Sequence, residues 1–475
     1  MTESDSAPSA TREISELPRV AGGLPLAGNL LQLEPERLHL QLEEWAERYG
    51  DFYTFALGPK TTVVVRDMEL ANKMLRERPK GFRRMSGMLE VLGEMGIAGV
   101  FTAEGKEWLR QRKLVMPAFN PAGLRASHAT IALSTRRLHG LWHRAAQTSA
   151  AIDALRDVMR YTVDVTGALA FGEDLNTLEA GAGELQRHMA SLFTTVNRRL
   201  SSPFPYWRYV TLPSDREFKK SLAEVEGTIL AIVQRARAAL LSEPHREPKN
   251  VLEAMIVAHD ADDPSARLSD RELYGNVLTL LLAGEDTTAN TIAWMLYYMA
   301  EHREVQRRMA AEADALPDAC GVPENPEAAH ELRYIAAVVQ ETLRLKSPAP
   351  VLFLEPIADT VLGDIRVPAG TPLIALSRAL ALQPGAFHAP LAFDPTRWLG
   401  TPAGKHDPRA SLAFGAGPRV CPGRSLALLE STMVGAMVAR CFDVTLASTA
   451  PVYEKFDFTV RPANLRIRLT PRAPA

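Results

Sequence analysis

The sequence predicts a mainly α-helical protein with a small β portion near both ends. Apolar residues recur at the i, i+3, i+4 spacing of a helix over residues 38–49, 122–146, 155–171, 216–241 and 328–345. Runs rich in β-branched and aromatic residues predict strands at residues 51–57, 61–65, 351–354, 360–367 and 465–469. No internal repeat and no clear linker divides the chain, so we expect one domain over residues 18–475 after a polar, disordered tail of residues 1–17.

The composition excludes several classes of protein. The 475 residues carry a formal net charge of −2, whereas a nucleic-acid-binding protein normally shows a basic excess. The N-terminal segment has no apolar stretch of signal-peptide length, and no run of about eighteen apolar residues, enough to span a membrane, occurs anywhere. Three cysteines, Cys320, Cys421 and Cys441, do not make a disulfide framework, which favours a reducing cytoplasm.

The central element is a long helix predicted over residues 270–300. Ser269 and Glu272 stand three residues apart at its start, which is the spacing of a capping box. Residues 277–283 are apolar on nearly every side of the helix. The helix should therefore pass through the core rather than along the surface.

Polar residues follow this apolar segment directly. Gly284 costs about 1 kcal/mol relative to alanine in a helix interior, and its use would be to let a bulky group approach the backbone. Thr287 can donate back to the carbonyl of Ala283, which makes room for a small ligand or water. Asp286 is costly to bury unless it is paired or reached by water. Taken alone, the segment fits equally well a helix that surfaces here with a solvated acidic patch.

Glu341 and Arg344 lie one helical turn apart. Most such pairs are surface ion pairs that contribute little to stability. Arg397 lies in a turn flanked by aromatic residues, and it can approach the same carboxylate. A glutamate between two arginines would then form a buried, fully hydrogen-bonded structural lock.

Trp108 and Arg112 lie four residues apart on one helical face, with Arg110 and Lys113 beside them. An indole N–H and a guanidinium that converge there could hold an anionic group. An amphipathic surface helix is the alternative interpretation.

Cys421 lies in the segment FGAGPRVCPGRSLA, residues 414–427, among three glycines and two prolines. An inert core cysteine does not need glycines on both sides, and Cys320 and Cys441 fit that role better. A nucleophile would want a His or Asn partner, and no motif offers one. A zinc ligand would want more Cys or His at short spacing, and the nearest, His406, is isolated. A single thiolate ligand to a metal that brings its other ligands with it, as in haem, is the interpretation that is left.

The loop around Cys421 suits a haem ligand. Gly415, Gly417 and Gly423 let backbone N–H groups approach the sulfur. Arg419, two residues before the cysteine, can pair with a haem propionate.

Together these segments resemble the cytochrome P450 family. Its cysteine-loop pattern F-x-x-G-x-R-x-C-x-G is met by Phe414, Gly417, Arg419, Cys421 and Gly423. Its A-G-x-D-T-T pattern is met by Ala283, Gly284, Asp286, Thr287 and Thr288. Its E-x-x-R and W-x-x-x-R patterns are met by Glu341 with Arg344, joined by Arg397, and by Trp108 with Arg112. The resemblance covers roughly residues 18–470.

The resemblance implies the cytochrome P450 fold, with haem b between the long central helix and the loop of its ligand Cys421. It implies a monooxygenase, in which R–H, O₂, two electrons and two protons give R–OH and water, or an alkene gives an epoxide. Cys421 would push electron density through the iron to favour O–O cleavage, while Asp286 and Thr287 would relay protons. The residues expected at the haem are Trp108, Arg112, Ala283, Gly284, Phe414, Gly415, Arg419, Cys421 and Gly423.

The resemblance also implies partners. The chain ends soon after the predicted core, so electrons are expected from a separate ferredoxin or flavodoxin with its NAD(P)H reductase. Lys106, Arg110, Arg112 and Lys113 would form a basic docking face, or equally a solvated helix face. We expect a cytoplasmic monomer that has no transmembrane anchor and binds no nucleic acid.

The substrate is expected to be apolar: a fatty acid, terpenoid, steroid or polyketide. Its pocket would lie between the central helix, the strand after Pro350, a Met-rich loop over residues 85–95 and a C-terminal hairpin. The candidate lining residues are Met85, Met88, Leu89, Leu92, Thr279, Leu282, Ala283, Val351, Leu352, Phe353, Phe456 and Phe458.

The chain departs from the family pattern at one position relevant to the haem. Many members have a basic residue in the strand after Pro350 that contacts a propionate, and this chain has Leu354 and Glu355 there. Propionate binding would then rest more on Trp108 and on the two arginines of the haem set named above.

Two rival functions are weighed against the monooxygenase. Haem-thiolate enzymes that use peroxide, or that isomerise without O₂, tend to lose the acid–alcohol pair that Asp286 and Thr287 supply here. A haem carrier or gas sensor needs no proton relay and usually carries an output domain.

Overall fold

The structure is a computed structural model of the chain. It describes residues 11–473, except 182, 201, 203, 244–245, 259–266 and 401–405.

Helices make up most of the described chain, and local sequence sets many of their limits. The side chain of Asn120 caps the helix that begins at Pro121, and Gly172 ends another helix in the left-handed conformation. In chain order the helices are α1 (Leu38–Tyr49), α2 (Met68–Arg76), α3 (Ser86–Glu94), α4 (Gly105–Val115), α5 (Pro121–Gln147), α6 (Ala154–Phe171), α7 (Thr177–Ala180), α8 (Glu184–Leu200), α9 (Pro213–Ser242), α10 (Val251–Val257), α11 (Asp270–Glu301), α12 (Arg303–Ala313), α13 (Pro326–Glu331), α14 (Arg333–Leu345), α15 (Ser377–Ala381) and α16 (Arg424–Cys441).

The strands form small sheets. They are β1 (Arg12–Glu13), β2 (Phe52–Leu57), β3 (Lys60–Val65), β4 (Phe82–Arg84), β5 (Leu352–Pro356), β6 (Thr360–Leu362), β7 (Ile365–Val367), β8 (Leu373–Ala375), β9 (Phe442–Leu446), β10 (Tyr453–Asp457), β11 (Thr459–Ala463) and β12 (Ile467–Pro471). The largest sheet has the order β2-β3-β8-β5-β4, and a second has the order β1-β7-β6. Two antiparallel pairs, β10–β11 and β9–β12, lie near the C-terminus.

The mainly α-helical fold with small β sheets is confirmed. The first predicted helix has the observed limits of α1, and α5, α6, α9 and α11 extend past their predicted ends by one to three residues. The predicted helix 328–345 is in fact two helices, α13 and α14, because the backbone of Leu332 (φ −77°, ψ 66°) leaves the helical conformation. The predicted strand 360–367 is a hairpin, β6–β7, which turns at Gly363 with a φ of 63°.

Two local predictions are wrong. Residues 85–95, expected as a Met-rich loop, contain the helix α3, because Val91 and Leu92 bury one of its faces in the core. The tail predicted to be disordered is ordered from residue 12, since β1 pairs in parallel with β7 and Leu17 is buried. Residues 1–10 of that tail lie outside the described residues.

The long helix α11 passes through the core, as its apolar segment predicts. Its capping box forms, with the Glu272 carboxylate accepting from the Ser269 N–H at 2.8 Å. The helix packs against α6, α16, α14 and β11, and every residue from 288 to 296 is buried. The polar break of this helix, residues 284–288, is therefore surrounded by protein on several sides. Among the described residues, no helix combines the length and apolar character needed to cross a bilayer.

Candidate active site

The loop before α16 holds Cys421 in a recess. The residue is exposed, yet enough protein surrounds the sulfur for burial to raise the pKa of the thiol. The N–H groups of Gly423 and Arg424, at the start of α16, donate to the sulfur and lower that pKa, and so does the charge of Arg112. The Cys421 N–H donates to the carbonyl of Phe414 at 3.0 Å, which fixes the turn. The site is therefore prepared to hold a thiolate.

The glycines of this loop have different tasks from the single one predicted for all three. Only Gly423 turns its N–H to the sulfur. Gly415 and Gly417 have φ values of 70°, which favour glycine. A Cβ on Gly417 would lie 2.6 Å from the carbonyl oxygen of Leu75, so this glycine lets the loop pack against α2.

The other two cysteines do not have this environment. Burial raises the pKa of Cys441 to about 12, and burial also raises the pKa of Cys320. The Cys320 sulfur lies 3.7 Å from Nδ1 of His139. The described residues contain no group of three or more His, Cys, Asp or Glu set to bind a metal ion. A metal at Cys421 must bring its other ligands with it.

Helix α4 presents its tryptophan and arginine to the Cys421 loop. Trp108 is buried, and the guanidinium of Arg419 stacks 4.8 Å from the centre of its ring. Arg112 donates to the carbonyl of Val420 at 2.8 Å. Helix α4 is amphipathic, as the alternative interpretation expected, and its inner side contacts the Cys421 loop.

The predicted basic docking face is smaller than expected. Arg110 forms ion pairs with Glu107 and Glu272, and Arg112 is turned towards the Cys421 loop. Lys106 and Lys113 are exposed.

Three arginines converge next to this loop around one carboxylate. The side chains of Arg78 and Arg419 are 5% and 3% exposed, and Glu104 lies 3.9 Å from the first and 2.8 Å from the second. Arg84 donates to the carbonyl of Phe101 at 2.9 Å and stacks 3.7 Å from the centre of its ring. One negative charge faces three guanidiniums.

The guanidinium cluster (Arg78, Arg84 and Arg419) is short of negative charge. Burial and mutual repulsion lower the pKa of Arg419 to about 10 and lower that of Arg84 well below its usual range. Among the described residues, Nε and Nη2 of Arg78 and Nε of Arg419 are buried without a hydrogen-bond partner. Buried cations need partners. The cluster is therefore built to bind an anion.

Arg419 was predicted from the sequence, whereas Arg78 and Arg84 were not. The position of Arg84 follows from the sheet, because β4 pairs with β5 so that Arg84 lies opposite Leu354. Leu354 is at the position where a basic residue was expected, so the neighbouring strand supplies that charge. Side chains alternate between the two faces of a strand, so Arg84 shares the face of the buried Phe82, while Arg83 lies on the other face. A prediction of β4 would therefore have distinguished the two arginines.

The polar break of α11 spreads its residues over different neighbours. Thr287 Oγ1 donates to the Ala283 carbonyl at 2.8 Å, as predicted, and Ala283 is exposed. The prediction that Gly284 lets a ligand approach the helix backbone is wrong. A Cβ there would lie 2.7 Å from Oγ1 of Thr166, so the glycine admits helix α6 rather than a ligand.

The acidic residues of this break are not a solvated patch. Glu285 is 7% exposed, and burial raises its pKa to about 8. Asp286 is half-buried, and burial raises its pKa as well, although a hydrogen bond from Thr459 opposes this. The interpretation as a helix that simply surfaces here is wrong.

The predicted structural lock is present. Glu341 and Arg344 are 0% and 1% exposed. The carboxylate accepts from Arg344 at 2.8 and 2.7 Å, from Arg397 at 2.9 Å and from the Trp398 indole at 2.9 Å. Arg344 also donates to three backbone carbonyls of residues 381–392. The group joins α14 to the segment that leads to the Cys421 loop.

The candidate substrate residues divide into two groups. Leu92 and Val351 are packed in the core, which corrects their assignment to a pocket surface. Leu352 and Phe353 are consecutive on β5 and pack on opposite faces of the sheet, so they do not both line one pocket. Half-buried or exposed positions remain at Met85, Met88, Leu89, Thr279, Leu282, Ala283, Leu352, Phe353, Phe456 and Phe458.

Comparison with known proteins identifies the family of this chain. The family model for cytochrome P450 matches residues 18–469, so the chain belongs to the cytochrome P450 family. Cyclooctat-9-en-7-ol 5-monooxygenase of Streptomyces melanosporofaciens is 27% identical, with 88% of this chain and 87% of that protein covered. Pentalenene oxygenase of Streptomyces avermitilis is 26% identical, with 95% and 97% covered. The crystal structure of the cytochrome P450DA heme domain has a TM-score of 0.87 at 22% identity, over 98% of this chain and 99% of that one.

Family membership confirms three predictions. The fold is the cytochrome P450 fold, the protein is a monooxygenase, and its cofactor is haem with a cysteine thiolate ligand. The residues of the site fit this cofactor. Haem b carries two propionates, and the guanidinium cluster has an excess of positive charge beside the one recessed cysteine whose sulfur accepts two backbone N–H groups.

Proposed function

We propose that Cys421 is the thiolate ligand of the haem and that this protein oxygenates an apolar, terpenoid-type cyclic alkene. The observation that carries the proposal is the pairing of two features in one place. The sulfur of Cys421 has N–H donors from Gly423 and Arg424, and the guanidinium cluster begins two residues before it. One feature suits the iron and the other suits the propionates.

Residues of α4, β4 and the Cys421 loop would hold the cofactor. Arg419 and Arg84 would bind the propionates, with Arg78 as a further positive charge in the cluster. Trp108 stacks on Arg419 and keeps its guanidinium in place. Arg112 ties α4 to the loop through Val420 and stabilises the negative charge on the sulfur.

When bound, the haem supplies the activation of O₂ that inserts one oxygen atom into the substrate, while the second atom leaves as water. Two protons are needed for each turnover. Thr287 lies on the open face of α11, one turn from the exposed Ala283, and its hydroxyl can hold a proton there. Burial raises the pKa of Asp286, which makes its carboxyl group a better proton acceptor than that of an ordinary aspartate.

The substrate class is supported by the names of the two Streptomyces relatives. Both names denote cyclic alkenes, one of them an alcohol. The half-buried candidates Met88, Leu89, Phe353, Phe456 and Phe458 offer the apolar surface that such a molecule requires. Hydroxylation and epoxidation are both open to an alkene.

Electrons come from a separate carrier in this proposal. A ferredoxin or flavodoxin, with its NAD(P)H reductase, is acidic and would meet the exposed Lys106 and Lys113 on α4. The scarcity of cysteines supports a cytoplasmic location. We expect the enzyme to work as a monomer.

The test of the iron ligand is the reduced, CO-bound absorption spectrum. The wild-type protein should give the strongly red-shifted Soret band of a thiolate ligand, and Cys421→His should lose it. Cys320→Ser and Cys441→Ser are the matched controls and should keep the band. If Cys421→His keeps it, or either control loses it, the ligand assignment is wrong. Substrate-induced Soret shifts across cyclic alkenes, fatty acids, steroids and polyketides then test the substrate class.

A further inference from the structure

The hairpin β10–β11 brings a hydroxyl to the side of α11 that carries Asp286. Phe458, with a φ of 68°, forms the turn between the two strands, and Thr459 follows it as the first residue of β11. Thr459 is 5% exposed. Its Oγ1 donates to Oδ2 of Asp286 at 2.9 Å.

A second residue of α11 completes the contact. Asn290 lies one turn beyond Asp286 on the same helical face, is 1% exposed, and donates from Nδ2 to Oγ1 of Thr459 at 3.0 Å. Its Oδ1 is buried and has no hydrogen-bond partner among the described residues. The three side chains form a row in which the Thr459 hydroxyl is the middle member.

The direction of the hydrogen bonds in this row depends on Asp286. A hydroxyl has one proton to donate. While the Asn290 amide donates to Thr459, the hydroxyl proton points to Oδ2 of Asp286, and this arrangement is strongest when Asp286 is a carboxylate. If Asp286 is protonated it can donate to Thr459, and the hydroxyl proton is free to turn to Asn290. Rotation of the amide by half a turn then presents Oδ1, the atom that lacks a partner, as the acceptor.

We propose that Asn290 and Thr459 are positioning residues that let Asp286 take up and release a proton without losing its hydrogen-bond partner. Every bond of the row survives the change, and only the direction of donation reverses. This inference rests on the proposed function, since it gives Asp286 the task of passing protons towards the haem.

The surroundings of Asp286 suit this task. Arg461 and Asp457, on the same hairpin, are the charged groups that face it from β10 and β11, and they pair with each other at 2.8 Å. Glu285 is the acidic neighbour on α11 itself. A cavity of about 560 Å³ is lined by Glu285 and Arg461, two of the charged neighbours of Asp286.

Thr459→Val is the direct test, since it keeps the shape of the side chain and removes the hydroxyl. The carboxyl C=O band of Asp286, assigned by its loss in Asp286→Asn, is followed by infrared spectroscopy through a pH titration. The midpoint should rise by about one pH unit in Thr459→Val, because the carboxylate loses its donor. Thr459→Ser should titrate like the wild type. Thr342→Val removes an equally buried hydroxyl, which donates at 2.8 Å within α14, and should leave the midpoint in place.

Turnover gives a second measurement. With a surrogate ferredoxin and reductase, product formed per NADPH consumed should fall about tenfold in Thr459→Val at pH 7 and recover in Thr459→Ser. Asn290→Leu tests the other end of the row. The carboxylate keeps its donor Thr459, but the protonated form loses the acceptor for the Thr459 hydroxyl, so the infrared midpoint should fall, and the proposal stays testable if Thr459→Val does not fold. An unchanged midpoint in either folded variant overturns the proposal. Loss of the red-shifted CO band in the wild type would instead overturn the proposed function, because the carboxyl titration needs no bound iron.

Discussion

Replacing Glu341 with glutamine tests the buried lock. The glutamate is 0% exposed, and its oxygens accept from Arg344, Arg397, Trp398 and the N–H of Asp394 at 2.7 to 3.0 Å. Glutamine keeps the shape of the side chain but removes its charge. Its NH₂ group would face N–H donors without offering them an acceptor. Two guanidiniums remain in the interior without a counter-charge. Breaking a buried ion pair from one side costs about 3–5 kcal/mol.

That cost can be measured as a change in melting temperature. Unfolding entropy is about 2.1 cal/mol/K per residue near the transition. For a chain of 475 residues this amounts to about 1 kcal/mol/K, so Glu341→Gln should lower the melting temperature by about 3–5 °C. Circular dichroism of the haem-loaded protein at pH 7 gives the melting curve, and urea unfolding gives the free energy directly.

A surface pair with the same spacing is the control. Glu304 and Arg307 also lie i, i+3 and form an ion pair at 2.8 Å, but their side chains are 66% and 70% exposed. Glu304→Gln should leave the free energy of unfolding close to that of the wild type because water screens the pair. The reasoning fails if Glu341→Gln destabilises the protein no more than Glu304→Gln does.

Three other variants test the charges and the packing around the site. Arg84→Gln should weaken haem retention by about tenfold or more. It should not destabilise the haem-free chain, since it relieves a buried excess of positive charge. Transfer of haem to apomyoglobin measures retention, and Arg333→Gln, at an exposed position, is the control. Glu285 holds a proton in the folded protein between its ordinary pKa of 4.5 and about 8, so stability should fall as pH rises through this window, by up to about 1.4 kcal/mol per pH unit. Glu285→Gln should flatten the urea-unfolding free energy measured from pH 5 to 8, and an unchanged slope would contradict the raised pKa. Gly284→Ala should cost about 1–3 kcal/mol, since its Cβ would lie 2.7 Å from Thr166 Oγ1, and Thr166→Ala in the same chain should recover most of the loss; no recovery would mean that the contact is not the cause.

The fold was predictable where apolar residues repeat over several turns. The limits of α1 and α11 follow from such repeats and, for α11, from the capping box at Ser269. Short elements such as α3 lack this property. Two glycines weaken its nine residues as a helix, and only burial of one face against distant parts of the chain stabilises it.

The cysteine loop was predictable for a different reason. Its residue types are rare in combination, and they lie together in residues 414–423, so the pattern is visible without knowledge of the fold. The guanidinium cluster has no such property, because residues 78, 84 and 419 meet only after β4 has paired with β5 and the loop has packed on α2. No local pattern distinguishes an arginine that will lie in that cluster from one on the surface, so Arg78 and Arg84 were visible only in three dimensions.

The motif in the middle of α11 was identified from the sequence, but the neighbours of its residues are visible only in the fold. Consecutive helical residues point about 100° apart, so Gly284, Asp286 and Thr287 cannot all face one ligand. The structure turns the glycine to α6, the aspartate to the hairpin β10–β11, and the threonine to the open side of the helix. Ala283 lies on that open side one turn before Thr287. A contiguous sequence motif can thus be required by three different neighbours, and only the residues that share the open face are positioned to act on a bound molecule directly.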